Sequence, residues 1–194
     1  DINRADNVNK NPERVKRLMR SFARAQGSQT PISVIADDIS ANEGSSLSDD
    51  SVARYIEALK KIFVIEDMPA WNVNLRSKTA IRTSDTRYYT DPSIAAAMLG
   101  LGPKDLIADL YTFGFLFETL AVRDLRVYAD SLGGGVYHYR DKDGLECDAV
   151  IHLRNGAYGL VEIKLGGDKL IEEGVASLKT LAAKIDTSKS PAPS

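Results

Sequence analysis

Residues 136–165, VYHYRDKDGLECDAVIHLRNGAYGLVEIKL, constrain the fold more than any other stretch of the chain. Asp143-Gly144 and Asn155-Gly156 are dipeptides that accept positive φ in short hairpin turns, and each lies between runs of strand-forming residues. The pattern predicts three strands in hairpin succession, the last over 160–165. Side chains alternate across a strand. Cys147, Ala149, Ile151 and Leu153 are therefore expected on an apolar face of the middle strand, with Glu146, Asp148, Val150 and His152 opposite. In the third strand Val161, Ile163 and Leu165 share one face, and Leu160, Glu162 and Lys164 the other. If the polar faces coincide, Glu146, Asp148 and Glu162 crowd around Lys164.

Crowding of this kind has a chemical consequence. Two carboxylates about 5 Å apart repel by roughly 3 kcal/mol at an effective dielectric near 20. One lysine does not balance three acids. A divalent cation does, and Mg²⁺ favours carboxylate oxygens, water and phosphate. An acid on one strand and Glu-x-Lys on the next can hold such an ion while the lysine orients or activates a water against a phosphodiester.

Glu118, Asp148 and Glu162-Ile163-Lys164 resemble the PD-(D/E)XK nuclease-like core. Nearly the whole chain is also similar to the C-terminal half of a family of bacterial and archaeal AAA+-type ATPases, a half usually described only as a domain of unknown function. The residues that carry the likeness are Arg54-Tyr55 with Leu59, Tyr88-Tyr89-Thr90-Asp91, Gly114 with Phe117-Glu118, Tyr139-Arg140-Asp141, Glu146-Cys147-Asp148 and Glu162-Ile163-Lys164. The stretch from Tyr139 to Lys164 is the most specific part.

The resemblance implies an α+β chain. A winged-helix domain is expected over 1–101. An α/β, restriction-endonuclease-like PD-(D/E)XK domain is expected over 102–194, with a small mixed sheet flanked by helices. Relatives continue with a further strand or two, so the sheet is expected to be truncated at its C-terminal end or completed by another molecule, as in a homo-oligomer. Asp148, Glu162 and the main-chain carbonyl of Ile163 are the implied Mg²⁺ ligands. Lys164 is the implied water-positioning group, and Glu118 an accessory acid facing Asp148 and Glu162. An upstream ATPase domain is the implied partner. The chain has no Gly-x-x-x-x-Gly-Lys-Ser/Thr string, so ATP would enter only through that domain.

Bulk properties narrow the partners. A net charge of −2 gives no overall attraction to DNA or RNA, so any contact must come from a local patch. The single cysteine, Cys147, excludes an internal disulfide and fits a reducing, cytoplasmic setting. No apolar run has the length of a membrane span. A chain that begins at Asp1 rather than Met reads as a fragment.

In chain order, Asn11-Pro12 opens a helix to about residue 26. Val15, Leu18, Met19 and Phe22 form its inner stripe, and Arg14, Arg17, Arg20 and Arg24 a solvated basic face. Helices over 33–39 and 49–61, a strand over 62–68 and a hairpin closing at Thr90 follow in winged-helix order. Acids lead the third helix (Asp49, Asp50), which argues against DNA reading by it. Arg76, Lys78 and Arg82 in the hairpin, with Arg140 further on, are the candidate nucleic-acid contacts; Asp141 and Asp143 are rival partners for Arg140. Trp71 is expected to anchor the wing. Gly100-Leu101-Gly102-Pro103 marks the division.

Pro103 is expected to open one long helix to 131, with Leu106, Leu110, Phe113, Phe117 and Leu120 inward. Gly133-Gly134-Gly135 reads as a flexible link. A last helix over 169–185 is expected to bury Ile171, Val175, Leu178, Leu181 and Ile185. Two functions fit: Mg²⁺-dependent phosphodiester hydrolysis, or a non-catalytic DNA- or protein-interaction module that regulates or targets the upstream ATPase.

Overall fold

The computed structural model describes residues 11–42, 44, 46–72, 81, 83–186 and 193. Among these residues the protein is α+β, with seven helices and two small sheets. It divides into two compact units, Asp1–Asp67 with Thr86–Thr119, and Met68–Asp85 with Leu120–Ser194.

The first unit is mainly helical. α1 (Pro12–Ala25) starts where the Asn11 side chain accepts hydrogen bonds from the amides of Glu13 (2.9 Å) and Arg14 (3.3 Å), which satisfies two otherwise orphaned donors. α2 (Ile32–Asn42) and α3 (Asp49–Lys61) follow, the latter capped by Ser48. β1 (Ile65–Met68) pairs with β2 (Thr86–Tyr89), and α4 (Pro92–Leu99) ends at Gly100, whose φ of 70° only glycine adopts at little cost. Leu18, Phe22, Ile35, Ile39, Val52, Ile56, Leu59 and Tyr89 form the core. Phe22 and Tyr89 meet edge to face at 5.0 Å, and the Tyr89 hydroxyl donates to the Met19 carbonyl at 2.6 Å.

The predicted long helix is broken. α5 (Pro103–Ala108) and α6 (Leu110–Ser131) are separated at Asp109, whose carboxylate accepts from the amide (3.1 Å) and hydroxyl (2.6 Å) of Thr112. This cap restarts the helix and shifts the phase of its stripe. Leu110 is consequently exposed, and Leu116 and Val122 are buried instead. Leu116 belongs to the first unit's core. The compact units accordingly divide inside α6, after Thr119, rather than at the Gly100–Pro103 segment.

The second unit is built on three antiparallel strands in the order β3 (Gly134–Arg140), β4 (Glu146–Leu153), β5 (Tyr158–Val161), followed by α7 (Asp168–Lys184). Both predicted turns form, with Gly144 and Gly156 at φ of 86° and 87°. The expected flexible link is partly strand. A Cβ on Gly134 would lie 2.7 Å from the His152 carbonyl oxygen, so glycine is what lets β3 approach β4 there.

The β3–β4–β5 sheet is antiparallel rather than mixed; an isolated parallel bridge lies beside β3. The Trp71 amide donates to the His138 carbonyl (2.7 Å) and the His138 amide to that of Pro69 (3.0 Å), forming a parallel bridge beside β3. Trp71 itself is buried, 4.8 Å from the Tyr158 ring, with its indole N–H directed to His152 Nδ1 at 3.3 Å. It anchors its segment to this sheet.

Strict alternation fails in β4. Tyr137 faces Val150 but Tyr139 faces Cys147, so Asp148 and Ala149 together oppose His138. This β-bulge adds one residue to β4 and reverses which face later residues occupy. Cys147 and Val150 therefore lie in one cluster with Trp71, Tyr139, Tyr158, Leu181 and Ile185. α7 also buries a different face from the one expected. Gly174, Leu181 and Ile185 are buried and Leu178 packs against the cluster, whereas Ile171 and Val175 are exposed. The inward stripe starts at a glycine, not at Ile171. Among the described residues no helix is long and apolar enough to cross a membrane.

Replacing the one tryptophan is expected to be costly. Trp71→Ala should destabilise the second unit by about 3–5 kcal/mol, read from urea unfolding followed by circular dichroism. Tyr111→Ala, at an exposed site, should change little. A loss below about 1 kcal/mol for Trp71→Ala would contradict the anchoring role.

Candidate functional site

β5 stops at Val161, short of the predicted Leu165, and Ala149–Val161 is the last ladder pair. A side chain takes over from the main chain at that point. Asp148 Oδ2 accepts the Ile163 amide at 2.8 Å. The same oxygen accepts from Lys164 Nζ at 3.1 Å, and Nζ also donates to Glu162 Oε2 at 2.6 Å. Asp148, Glu162 and Lys164, which come from β4 and from the segment after β5, are thereby brought together as the sequence predicts.

Two carboxylates converge, not three. Glu146 pairs with Arg140 at 2.8 Å, directly across the β3–β4 ladder. This is also where Arg140 goes, rather than to Asp141 or Asp143. Asp141 is fully buried and has a structural task. It accepts from the amides of Asp143 (2.9 Å) and Leu145 (3.0 Å), from the Tyr139 hydroxyl (3.2 Å) and from Lys184 Nζ (2.9 Å). Burial works to raise its pKa, but Lys184 and the Leu145 amide outweigh burial and hold it below the ordinary value.

The convergence is electrostatically unbalanced. The Glu162 side chain is only 8% exposed, against 17% for Asp148 and 34% for Lys164. Burial pushes the Glu162 carboxyl up to about 7; the hydrogen bond from Lys164 opposes this and the charge of Asp148 adds to it. For Lys164, burial works against the charged form, but the bond to Glu162 and the two negative charges outweigh it and raise the pKa above the ordinary lysine value. With both carboxylates ionised, the pair carries one negative charge more than Lys164 balances, and burial makes that charge costly at Glu162.

That charge fits a hard divalent cation. Asp148, Glu162 and the Ile163 carbonyl offer oxygen donors of the kind Mg²⁺ takes, leaving other positions to water and phosphate. Among the described residues no three His, Cys, Asp or Glu side chains group to hold a metal, so the protein side-chain ligands would be these two carboxylates.

Glu118 belongs to the first unit, where its Oε1 accepts from the Tyr88 hydroxyl at 2.7 Å. Arg76, Lys78 and Arg82 fall outside the described residues. His138 is buried with Nε2 2.9 Å from the Ser84 carbonyl, and burial lowers its pKa. Burial raises the Cys147 thiol to about 12, which makes it an inert core group.

Sequence reasoning missed Gly174. A Cβ there would meet Glu162 Cβ at 3.3 Å and Lys164 Cε at 3.8 Å, so the glycine lets α7 lie directly against the stems of both site residues. The signal was present as a lone glycine inside a helical pattern, which costs about 1 kcal/mol against alanine and usually has a packing or functional reason.

Comparison with known families matches residues 1–105 to a family described as Domain of unknown function (DUF8612). The chain belongs to that family. Residues 113–192 match a second one, Domain of unknown function (DUF4143), which contains the Asp148–Lys164 site. The boundary between the DUF8612 and DUF4143 matches falls between residues 105 and 113, around the break between α5 and α6. No curated protein and no solved structure matches the chain.

Glu162 gives a pH test with a definite sign. Its folded pKa is raised from 4.5 to about 7, so the folded chain binds more protons than the unfolded chain in that window. Its contribution is full below about 4.5 and is lost as pH rises through about 7, a change of at most about 3 kcal/mol. Unfolding free energies of wild type and Glu162→Gln, measured from pH 4.5 to 7.5, should diverge in slope, with the falling component absent in the variant. Parallel curves would show that Glu162 is not held neutral by the fold.

Proposed function

We propose that the second unit is a PD-(D/E)XK nuclease-like module that hydrolyses phosphodiesters with Mg²⁺, and that the first is a winged-helix module. The convergence of the Asp148 and Glu162 carboxylates on Lys164 Nζ carries this reading. Asp148, Glu162 and the Ile163 carbonyl would hold the ion. When bound, it supplies Lewis-acid stabilisation of charge developing on phosphate and a water of lowered pKa. Lys164 would supply the hydrogen-bond donor that positions the attacking water. Asp148 holds the Ile163 amide in place, and Gly174 lets α7 lie against one side of the site.

The substrate would be DNA or RNA, met in a cytoplasmic setting. Arg140 is the nearest candidate phosphate contact in sequence. Its guanidinium is held by Glu146, and its Nε is buried without a hydrogen-bond partner among the described residues. The resemblance extends the proposal: this chain is the C-terminal region of an AAA+-type ATP-binding protein, and ATP is bound by a domain upstream of it.

A second reading has its own support. Lys164 already pairs with both carboxylates, and Ile171 and Val175 leave apolar surface exposed on α7. A module that binds a partner and targets or regulates the ATPase would have these features without chemistry.

Calorimetric titration with Mn²⁺ separates the two. Wild type should bind and Asp148→Ala should not. Cleavage of single- and double-stranded DNA and RNA should follow in Mg²⁺ or Mn²⁺. Lys164→Ala should lower it by at least a hundredfold, in the range of a general acid–base contribution. Metal binding without cleavage of any substrate would favour the regulatory module; no metal binding would remove the nuclease reading.

A further inference from the structure

The carboxylate pair is already neutralised in part by a cation of the chain itself. Lys164 Nζ contacts Glu162 Oε2 at 2.6 Å and Asp148 Oδ2 at 3.1 Å, which places the ammonium between the two acids. The acids are fixed in position. Asp148 Oδ2 also accepts the Ile163 amide at 2.8 Å, and the stem of Glu162 lies against α7 at Gly174. The lysine is the member free to leave. Its side chain is 34% exposed, against 8% for Glu162, and its charge rides on a flexible four-carbon stem.

An ammonium and a divalent ion do not share one gap between two carboxylates, because at contact distance their mutual repulsion matches the divalent ion's attraction to one acid and is twice the ammonium's. We propose that Lys164 is the resident counter-ion of this site: it holds Asp148 and Glu162 together in the absence of metal and withdraws from between them when a divalent cation binds. This rests on the metal-site reading above and adds a competition to it. The lysine keeps the empty site from flying apart, at the expense of metal affinity. Its withdrawal also brings Nζ to the solvent side of the site, where water and phosphate oxygens arrive.

The competition predicts the opposite of what loss of a metal-site residue usually does. Lys164→Met and Lys164→Gln remove the charge at similar length. By Mn²⁺ calorimetry they should bind at least tenfold more tightly than wild type, while Asp148→Ala should not bind. Equal or weaker binding by both Lys164 variants overturns the competition and leaves the metal site standing. No binding by wild type or by either variant overturns the metal site and the competition together.

Removing the counter-ion leaves two adjacent acids, so the variants risk unfolding. A second measurement therefore uses the wild-type chain with ¹⁵N-labelled lysine. The Lys164 Nζ resonance, assigned by its absence in Lys164→Gln or by side-chain correlation to the backbone, should move on saturation with Mg²⁺. An unmoved resonance in a chain that calorimetry shows to be metal-loaded would overturn the proposal.

Discussion

Asp148 Oδ2 accepts two hydrogen bonds, from the Ile163 amide and from the Lys164 ammonium, and the local geometry of the second unit follows from them. The first ends the β4–β5 ladder by taking an amide that a longer strand would have given to the main chain. The second draws Lys164 to the same oxygen, and with it Glu162, which bonds the other side of the ammonium. The β-bulge at Asp148-Ala149 is what separates this polar group from the core. Cys147 on one side of the bulge and Val150 on the other both face the cluster around Trp71 and Tyr158. One extra residue in β4 thus lets Asp148 face away from the core between two residues, Cys147 and Val150, that face it.

A further acid, the buried Asp141, organises the β3–β4 turn at the same end of the sheet. Asp141 closes the turn through the amides of Asp143 and Leu145 and ties it to α7 through Lys184. Removing a partner from a buried charge costs far more than the pair contributes net. Asp141 and Lys184 are therefore best seen as a structural pair, and Asp148, Glu162 and Lys164 as the chemical group. Their environments support the distinction. Asp141 is matched by donors and held in its charged form, whereas Glu162 is pushed towards neutrality by burial beside another acid.

Much of this could be read from the residues. The two Asx-Gly turns fixed the hairpins, and Glu-x-Lys after a strand bearing Asp148 pointed to the convergence. Caps at Asn11 and Ser48 located two helix starts. What could not be read has physical causes. A β-bulge leaves no mark in a period-two pattern, so alternation alone puts the residues of β4 beyond Asp148 on the wrong faces. Asp109 looks like an ordinary helix residue until its carboxylate bonds Thr112 and restarts the helix. Glu146 had the right parity for the site but a nearer partner in Arg140, and parity alone does not rank partners. Trp71 lies far from Tyr158 in sequence, and no local signal tells which sheet it joins.

Membership in DUF8612 and the match to DUF4143 place both halves of the chain in families whose descriptions state no activity, so function rests on the site. The most direct test is to look for the ion in crystals grown with Mn²⁺, using its anomalous scattering. A peak within roughly 2–2.5 Å of one oxygen from each of Asp148 and Glu162, with the Lys164 side chain turned away, is the expected result. A map with no anomalous density there and the Lys164 ammonium still between the two carboxylates would contradict the metal site.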